Sequence, residues 1–381
     1  MTTFPQRTRR GKIMLCAFVF MVAVQCFPAE ETDIRWKSGA GNCLNRSAEF
    51  YGSETALRIA NNVLLHQCNN GGWPKNYDRA RILSPDEKEK ILSQKKRNDT
   101  TFDNGSTHSE VRYLAKVYNA TSDERYQEAF LRGVEFILQA QYGNGGWPQY
   151  YPDARKYAKY ITFNDGAMIG VMIALREIAQ DKASYPFVDA QLRSRCANAV
   201  DKGVQCILKC QIEVNGKKTA WCAQHDDESL EPRDARSYEL ASISGSESVG
   251  IVRFLMEIDN PSPEIIDAIQ CAIAWFDGAQ LNGIRVTYQK VVVEPETWDK
   301  VVIQDDSAPP LWARFYDIGT NKPIFCGRDG KRKATLAEID YERRNGYSWL
   351  GSYAQDLLAK EYPAWQKKWA PDDDVLRREN R

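Results

Sequence analysis

The sequence predicts an all-α fold made of repeated helical hairpins, with one small β-hairpin inserted near its end. Three observations carry that expectation. Between residues 53 and 279 apolar side chains recur at helical spacing in consecutive pairs of segments. The second segment of each pair runs into a related turn-rich string: LLHQCNNGG, ILQAQYGNGG, ILKCQIEVNG and WFDGAQLNG. One stretch, residues 284–305, breaks the pattern with β-branched alternation. A single αα-hairpin cannot bury its apolar face, so three or four must stack, as a solenoid or as a closed toroid.

Taken in order, Thr107–Thr121 places Val111, Leu114, Ala115 and Tyr118 on one face, and residues 123–141 repeat this with Tyr126, Phe130, Val134, Ile137 and Leu138. Gly166–Gln180 pairs with Phe187–Gln211, and Gly245–Asp259 with Pro263–Gln280. A last helix is expected over Ser348–Glu361, followed by a solvated polar tail at 371–381. Residues 30–370 form one domain in this reading. The glycine-rich loops after each second helix gather on one side of the stack, which is where a site is expected.

Residues 1–29 read as an export signal. Arg7, Arg9, Arg10 and Lys12 precede the apolar run IMLCAFVFMVAV, whose twelve residues are too few for a membrane span. Cleavage is expected near Ala29. Acylation at Cys26 is disfavoured by the Val24-Gln25 before it. The protein is therefore expected outside the cytoplasm, secreted or periplasmic, acting as a monomer. Without the four basic leader residues, 47 basic side chains face 51 acidic ones, a balance that excludes nucleic-acid binding by bulk charge. Eight cysteines follow the leader with no CxxC pair, and there are three histidines, so a zinc site is not expected; Cys43–Cys68 is a candidate bridge.

Two motifs are duplicated. NGGWPKNYD (Asn70–Asp78) and NGGWPQYYP (Asn144–Pro152) set Trp73 and Trp147 beside Lys75, Tyr77, Tyr150 and Tyr151. Flat rings beside polar groups suit sugar rings, while burial of each tryptophan as a core plug is the competing reading. TTFDNGST (Thr100–Thr107) and ITFNDGAM (Ile161–Met168) each precede a helix. Asp103, Asn104 and Asp165 are oxygen donors for a hard cation such as Ca²⁺; plain N-capping is the alternative. A third loop carries His225, Asp226, Arg233, Arg236, Tyr238 and Glu239, either as surface ion pairs or as a functional loop. Arg314 and Arg328 sit among Trp312, Phe315, Tyr316, Phe325 and Cys326, where partly buried guanidinium groups ask for a carboxylate from elsewhere in the fold or from a substrate; for GRDGKRK a plain basic turn is the alternative. There is no Gly-x-Ser-x-Gly elbow, P-loop or dinucleotide fingerprint.

The strings NGGWPKNYD, TFDNGST, NGGWPQYYP, ITFNDGAM, WCAQHDD, EPRDARSYELASISGSES, WARFYDIGTNKPIFCGRDG and YSWLG, in this order, resemble the pectate lyases of polysaccharide lyase family 10. The likeness runs from about Asn62 to Lys360. It implies an incomplete (α/α) toroid and calcium-assisted β-elimination on polygalacturonate, with oligogalacturonates as shorter substrates. It also implies that Asp103, Asn104 and Asp165 hold Ca²⁺ and a substrate carboxylate, that Arg328 is the base taking the C5 proton, and that Arg314 meets a substrate carboxylate. Lys75, Trp147, His225, Tyr238 and one of Arg233 and Arg236 are the further substrate-binding candidates. An arginine base implies an alkaline optimum, since its pKa lies above 12. Two other classes compete: a glycoside hydrolase using Asp103 and Asp165 as acid and base, and a carbohydrate binder without turnover.

Overall fold

The computed structural model describes Met1 and residues 34–37, 39, 41, 43–291 and 297–377. Apart from Met1, the export segment 1–29 with Cys26 lies outside the described residues, and so does the end of the tail. Ile34–Arg381 forms one compact unit. Its helices are α1 (Glu54–His66), α2 (Pro85–Ser93), α3 (His108–Thr121), α4 (Glu124–Gln139), α5 (Ala167–Gln180), α6 (Ala190–Cys210), α7 (Glu247–Met256), α8 (Pro263–Gly278), α9 (Tyr341–Gly346) and α10 (Tyr362–Trp369). The pairs α3–α4, α5–α6 and α7–α8 match the three expected hairpins, with ends moved by at most three residues. Side-chain caps fix several starts: Ser53 accepts from Ala56 N at 3.2 Å, and Asp189 accepts from Leu192 N at 2.7 Å.

The helices form two layers. α3, α5 and α7 pack in sequence in one layer; α1, α4, α6 and α8 do so in the other. The core between them is continuous, from Ile59 and Val63 through Val111, Val134, Met172 and Ile207 to Ile251 and Ile273. The β-hairpin pairs Ile284–Val291 with Thr297–Gln304 in antiparallel register, Tyr288 opposite Lys300 and Lys290 opposite Trp298.

The same loop architecture recurs four times. The indole nitrogens of Trp73, Trp147, Trp221 and Trp312 each donate to a carbonyl near the end of the preceding long helix: Val63 (2.8 Å), Ile137 (2.9 Å), Ile207 (2.7 Å) and Phe276 (2.8 Å). All four rings are almost entirely buried. This corrects the expectation that Trp147 binds substrate: its ring plugs the stack and its one polar atom is satisfied internally. The glycines have a matching explanation. Gly71 and Gly145 sit at φ +97° and +96°, where an added Cβ would lie 2.5 Å from Arg132 O and 2.1 Å from Lys202 O.

Several expectations fail for local reasons. α2 lies inside the first loop, started by a Ser84–Glu87 capping box on Pro85. The final helical stretch begins later than Ser348, because Leu350–Gly351 is extended and pairs with Trp312–Ala313. A π-turn, Leu357–Glu361, then leads into α10. The tail is docked over its first half: Gln270 donates to Asp373 O at 2.7 Å, and Val375 and Leu376 pack partly against the core. Cys68 carries a free thiol, so the Cys43–Cys68 bridge does not form.

Candidate active site

The repeat also builds the site. Two residues after each repeat tryptophan stand Lys75, Gln149, Ala223 and Arg314. The backbone oxygens of the last three accept from Phe102 N (3.0 Å), Phe163 N (2.9 Å) and Gly245 N (2.9 Å). Each of these three Trp loops is thereby stitched to a turn that opens a helix of the α3–α5–α7 layer. In the first two of these turns, Asp103–Gly105 and Asn164–Gly166, the residues Asn104 and Asp165 both take the left-handed conformation at φ 52°. Asn and Asp tolerate that conformation better than other non-glycine residues. Neither turn caps its helix through a side chain, so the carboxylates are not simple N-caps.

The two turns pack together at the base of a polar cleft of about 260 Å³. Its walls include Lys75, Asp103, Asn104, Gln149, Tyr157, Asn164, Asp165, Arg236, Glu239 and Tyr347. A larger groove of about 760 Å³ lies beside the β-hairpin, lined mainly by apolar side chains. The small cleft, where carboxylates and cations converge, is the chemical site.

Asp103 is buried and ion-paired to Lys75 through one oxygen, while its Oδ1 is buried without a hydrogen-bond partner. Lys75 is also 5.5 Å from the Tyr150 ring centre. Burial alone would lower the Lys75 pKa; the Asp103 hydrogen bond and charge reverse this and hold it above the usual value. Asp165 is the opposite case. Burial raises its carboxyl pKa, Arg314 opposes this, and Asp103 and Glu247 reinforce it. Arg314 is largely buried, with Glu247 as an ion-pair partner, Asp165 at 3.6 Å, Asn164 Oδ1 at 3.1 Å and the Tyr347 ring centre at 4.7 Å. Burial would lower its pKa, but Glu247, the Tyr347 hydroxyl and Asp165 leave it raised. The anionic partner that the arginine asked for is thus Glu247, 67 residues away in sequence.

The third loop divides. Arg236 borders the cleft, donating from Nε to Glu239 at 2.6 Å and lying 4.9 Å from the Tyr238 ring centre. Its Glu239 hydrogen bond raises its pKa despite partial burial. Tyr347, which opens the YSWLG string but has no role in the sequence analysis, donates its hydroxyl to the other Glu239 oxygen at 2.7 Å and so fixes that carboxylate. Arg233 does not line the cleft; it is exposed and pairs with Asp226 at 2.9 Å. His225 is fully buried and structural, accepting from Cys222 N at 3.0 Å and donating to Leu230 O at 2.8 Å, which corrects its assignment to substrate. Tyr238 is corrected likewise: it is 4% exposed and lies beneath Arg236, Arg328 and Arg343. Arg328 lies outside the cleft lining, exposed and bidentate on Glu342 at 2.8 and 3.0 Å. The Glu342 hydrogen bond and charge raise its pKa further.

The sequence model of the pectic acid lyase family matches residues 67–358. Among solved structures, a family 10 polysaccharide lyase from Cellvibrio cellulosa is similar to this chain at 33% identity and a TM-score of 0.72, over 87% of this chain and 96% of its own. An aspartate-to-alanine mutant of a family 10 polysaccharide lyase from the same organism, in complex with trigalacturonic acid, is similar at the same identity and TM-score over 85% and 96%. No curated protein matches the chain. The helical layers are accordingly those of an (α/α) toroid, and the enzyme class is lyase rather than hydrolase. With a family match over most of its length and this likeness across its fold, the chain belongs to the pectic acid lyase family.

Proposed function

We propose that this enzyme cleaves polygalacturonate by calcium-assisted β-elimination in the cleft between the two turns, and that it is exported through residues 1–29. The observation that carries the reading is the convergence of Asp103, Asn104 and Asp165 with Lys75 and Arg236 in one polar cleft. Such a cleft offers oxygens to a hard cation and positive charge to a uronate.

The residues fit calcium in a particular way. The unpartnered Asp103 Oδ1 is an acceptor without a protein donor. Among the described residues no group of three or more His, Cys, Asp or Glu is placed to hold a metal. Asp103, Asp165 and the Asn104 amide would therefore hold the ion, with substrate carboxylates completing the oxygen set. Bound there, calcium would supply fixed positive charge against a substrate carboxylate.

The protein's own residues do the rest. The C5 proton, α to a carboxylate, passes to a neutral arginine; a C4=C5 double bond forms as the C4–O bond breaks, and the leaving oxygen is protonated from water. Lys75 meets the substrate carboxylate from the side of the first turn. Arg236 and Arg328 share the Tyr238 ring, and Arg236, at the cleft edge, is better placed for the proton than Arg328. Arg328 then binds a carboxylate at the rim. Since Glu239 and Glu342 both hold their arginines protonated, the neutral fraction rises with pH, so kcat/KM climbs from pH 7 towards pH 10.

The test is release of the near-ultraviolet-absorbing 4,5-unsaturated product, with calcium and with EDTA. Arg236→Lys is expected to lower kcat by about 10³-fold, and Arg328→Lys to raise KM with kcat nearly retained. The reverse pattern would return the base to Arg328. A rate that falls from pH 7 to pH 10 with the fold intact would remove an arginine base altogether.

A further inference from the structure

Among the described residues, three large aromatic side chains are exposed, and all three lie together. Tyr288 (58% exposed) and Trp298 (52%) belong to the β-hairpin, and Tyr341 (44%) opens α9. The register puts Tyr288, Lys290, Trp298 and Lys300 on one face of the ribbon, with the two rings diagonal to each other. Tyr341 stands beside them, its hydroxyl donating to Trp298 O at 3.0 Å. Every other tryptophan described is buried or partly buried, so folding does not account for this exposure.

The patch is continuous with the cleft through α9. After Tyr341 comes Glu342, which holds Arg328; next is Arg343, 4.7 Å from the Tyr238 ring that also carries Arg236. Lys300 donates to Tyr347 O at 2.9 Å, and Tyr347 itself lines the cleft. Along this path Lys300, Arg328, Arg343 and Arg344 stand with Glu342, Asp299 and Asp340: Glu342 takes both Arg328 and Arg343, and Arg344 is paired to Asp299. Rings that can stack on the C–H faces of sugars, set beside Lys300 and the exposed guanidinium of Arg328, are complementary to a chain of uronic acids.

We infer that the hairpin face bearing Tyr288 and Trp298, with Tyr341 beside it, is a distal binding platform for a polygalacturonate chain whose reactive part lies in the cleft. The inference rests on the reading of the cleft given above. It makes the hairpin insertion a determinant of chain length: short oligomers fill the cleft alone, and long ones reach both surfaces.

The test compares wild type with Tyr288→Ala/Trp298→Ala on trigalacturonate and on polygalacturonate, following the unsaturated product. The double variant is expected to keep its kcat/KM on the trimer within about twofold, which also reports an intact fold, and to show about a tenfold higher KM on the polymer. Native-gel retardation by polygalacturonate in EDTA should weaken in parallel, with no matching effect from a neutral galactan. An unchanged polymer KM would overturn the platform. An equal loss on both substrates would also overturn it, because the hairpin would then only support the cleft. Equal retardation by the neutral polymer would overturn the uronate assignment. If wild type released no unsaturated product from either substrate, the reading of the cleft would fail instead, and the platform would fall unless polygalacturonate still retarded wild type more than the variant.

Discussion

The turns Asp103-Asn104-Gly105 and Asn164-Asp165-Gly166 have nearly the same backbone and opposite side-chain order. In the first, the carboxylate stands at the leading position, buried against Lys75 with an amide at the left-handed step. In the second, Asn164 is the buried leading residue, donating to its neighbour at 2.8 Å, and the carboxylate occupies the left-handed step, partly open. Duplication supplied two equivalent frames, and exchanging Asp with Asn set two carboxylates at different depths with different partners. The residues two places after the tryptophans diverge in the same way: Lys75 is a cation, Gln149 is neutral, and Arg314 is a cation claimed by Glu247.

The largest expected effect comes from removing that difference in charge. Asp103→Asn, which gives both turns a leading amide, is expected to cut kcat/KM on polygalacturonate by about 10²–10³-fold, with the calcium requirement shifted to higher concentration. The exchange Asp103→Asn/Asn104→Asp conserves total charge; if it retained full activity, depth and the Lys75 partner would not matter. A smaller effect is expected from Lys75→Gln, which copies the second loop into the first: KM should rise about tenfold with a modest change in kcat, measured at saturating calcium. The tryptophans should respond in stability instead of binding. Trp73→Phe and Trp147→Phe should each cost about 2 kcal/mol in denaturant unfolding through a lost hydrogen bond and a small cavity. A change in KM without loss of stability would restore Trp147 to the substrate surface.

The last prediction concerns acid. Burial lowers the pKa of His108 to about 3, and of His66 and His225 to about 4. The unfolded chain takes up these protons near pH 6.5 while the folded chain does not. Each histidine therefore removes about 1.4 kcal/mol of stability per pH unit as pH falls from 6.5 to its folded value. Urea midpoints at pH 7, 5.5 and 4.5 check this, and His225→Gln should flatten the slope by about a third if it folds.

Helices α3 to α8 were legible in the sequence because their apolar spacing is a local property, and so was the hairpin. α2 is equally local, written in Ser84-Pro85-Asp86-Glu87, but none of its residues is buried, so it carries no apolar periodicity to mark it. The carboxylates of the cleft stood out through duplication. The fates of Trp147 and His225 were not legible, since burial is decided by what packs on top of a residue. The ties of Arg314 to Glu247 and of Glu239 to Tyr347 join residues 67 and 108 apart, beyond the reach of spacing rules. The pattern behind Lys75 and Arg314 is local after all: both stand two places after a repeat tryptophan, as Gln149 and Ala223 do.

One recurring side chain bears on how such a molecule comes apart. Gln67, Gln141 and Gln211 each donate to their own loop, at Gly71 O, Gly145 O and Thr219 O, and also to the next helix of the α1–α4–α6–α8 layer, at Ala129 O, Ala199 O and Ala268 O. Each amide is a clasp between nearest neighbours. Peeling one repeat away breaks the outward bond of its clasp, leaving an amide donor on one repeat and an alanine carbonyl on the other, which adds to the interface term between neighbours. Coupling of this kind favours melting as one cooperative unit over fraying from an end.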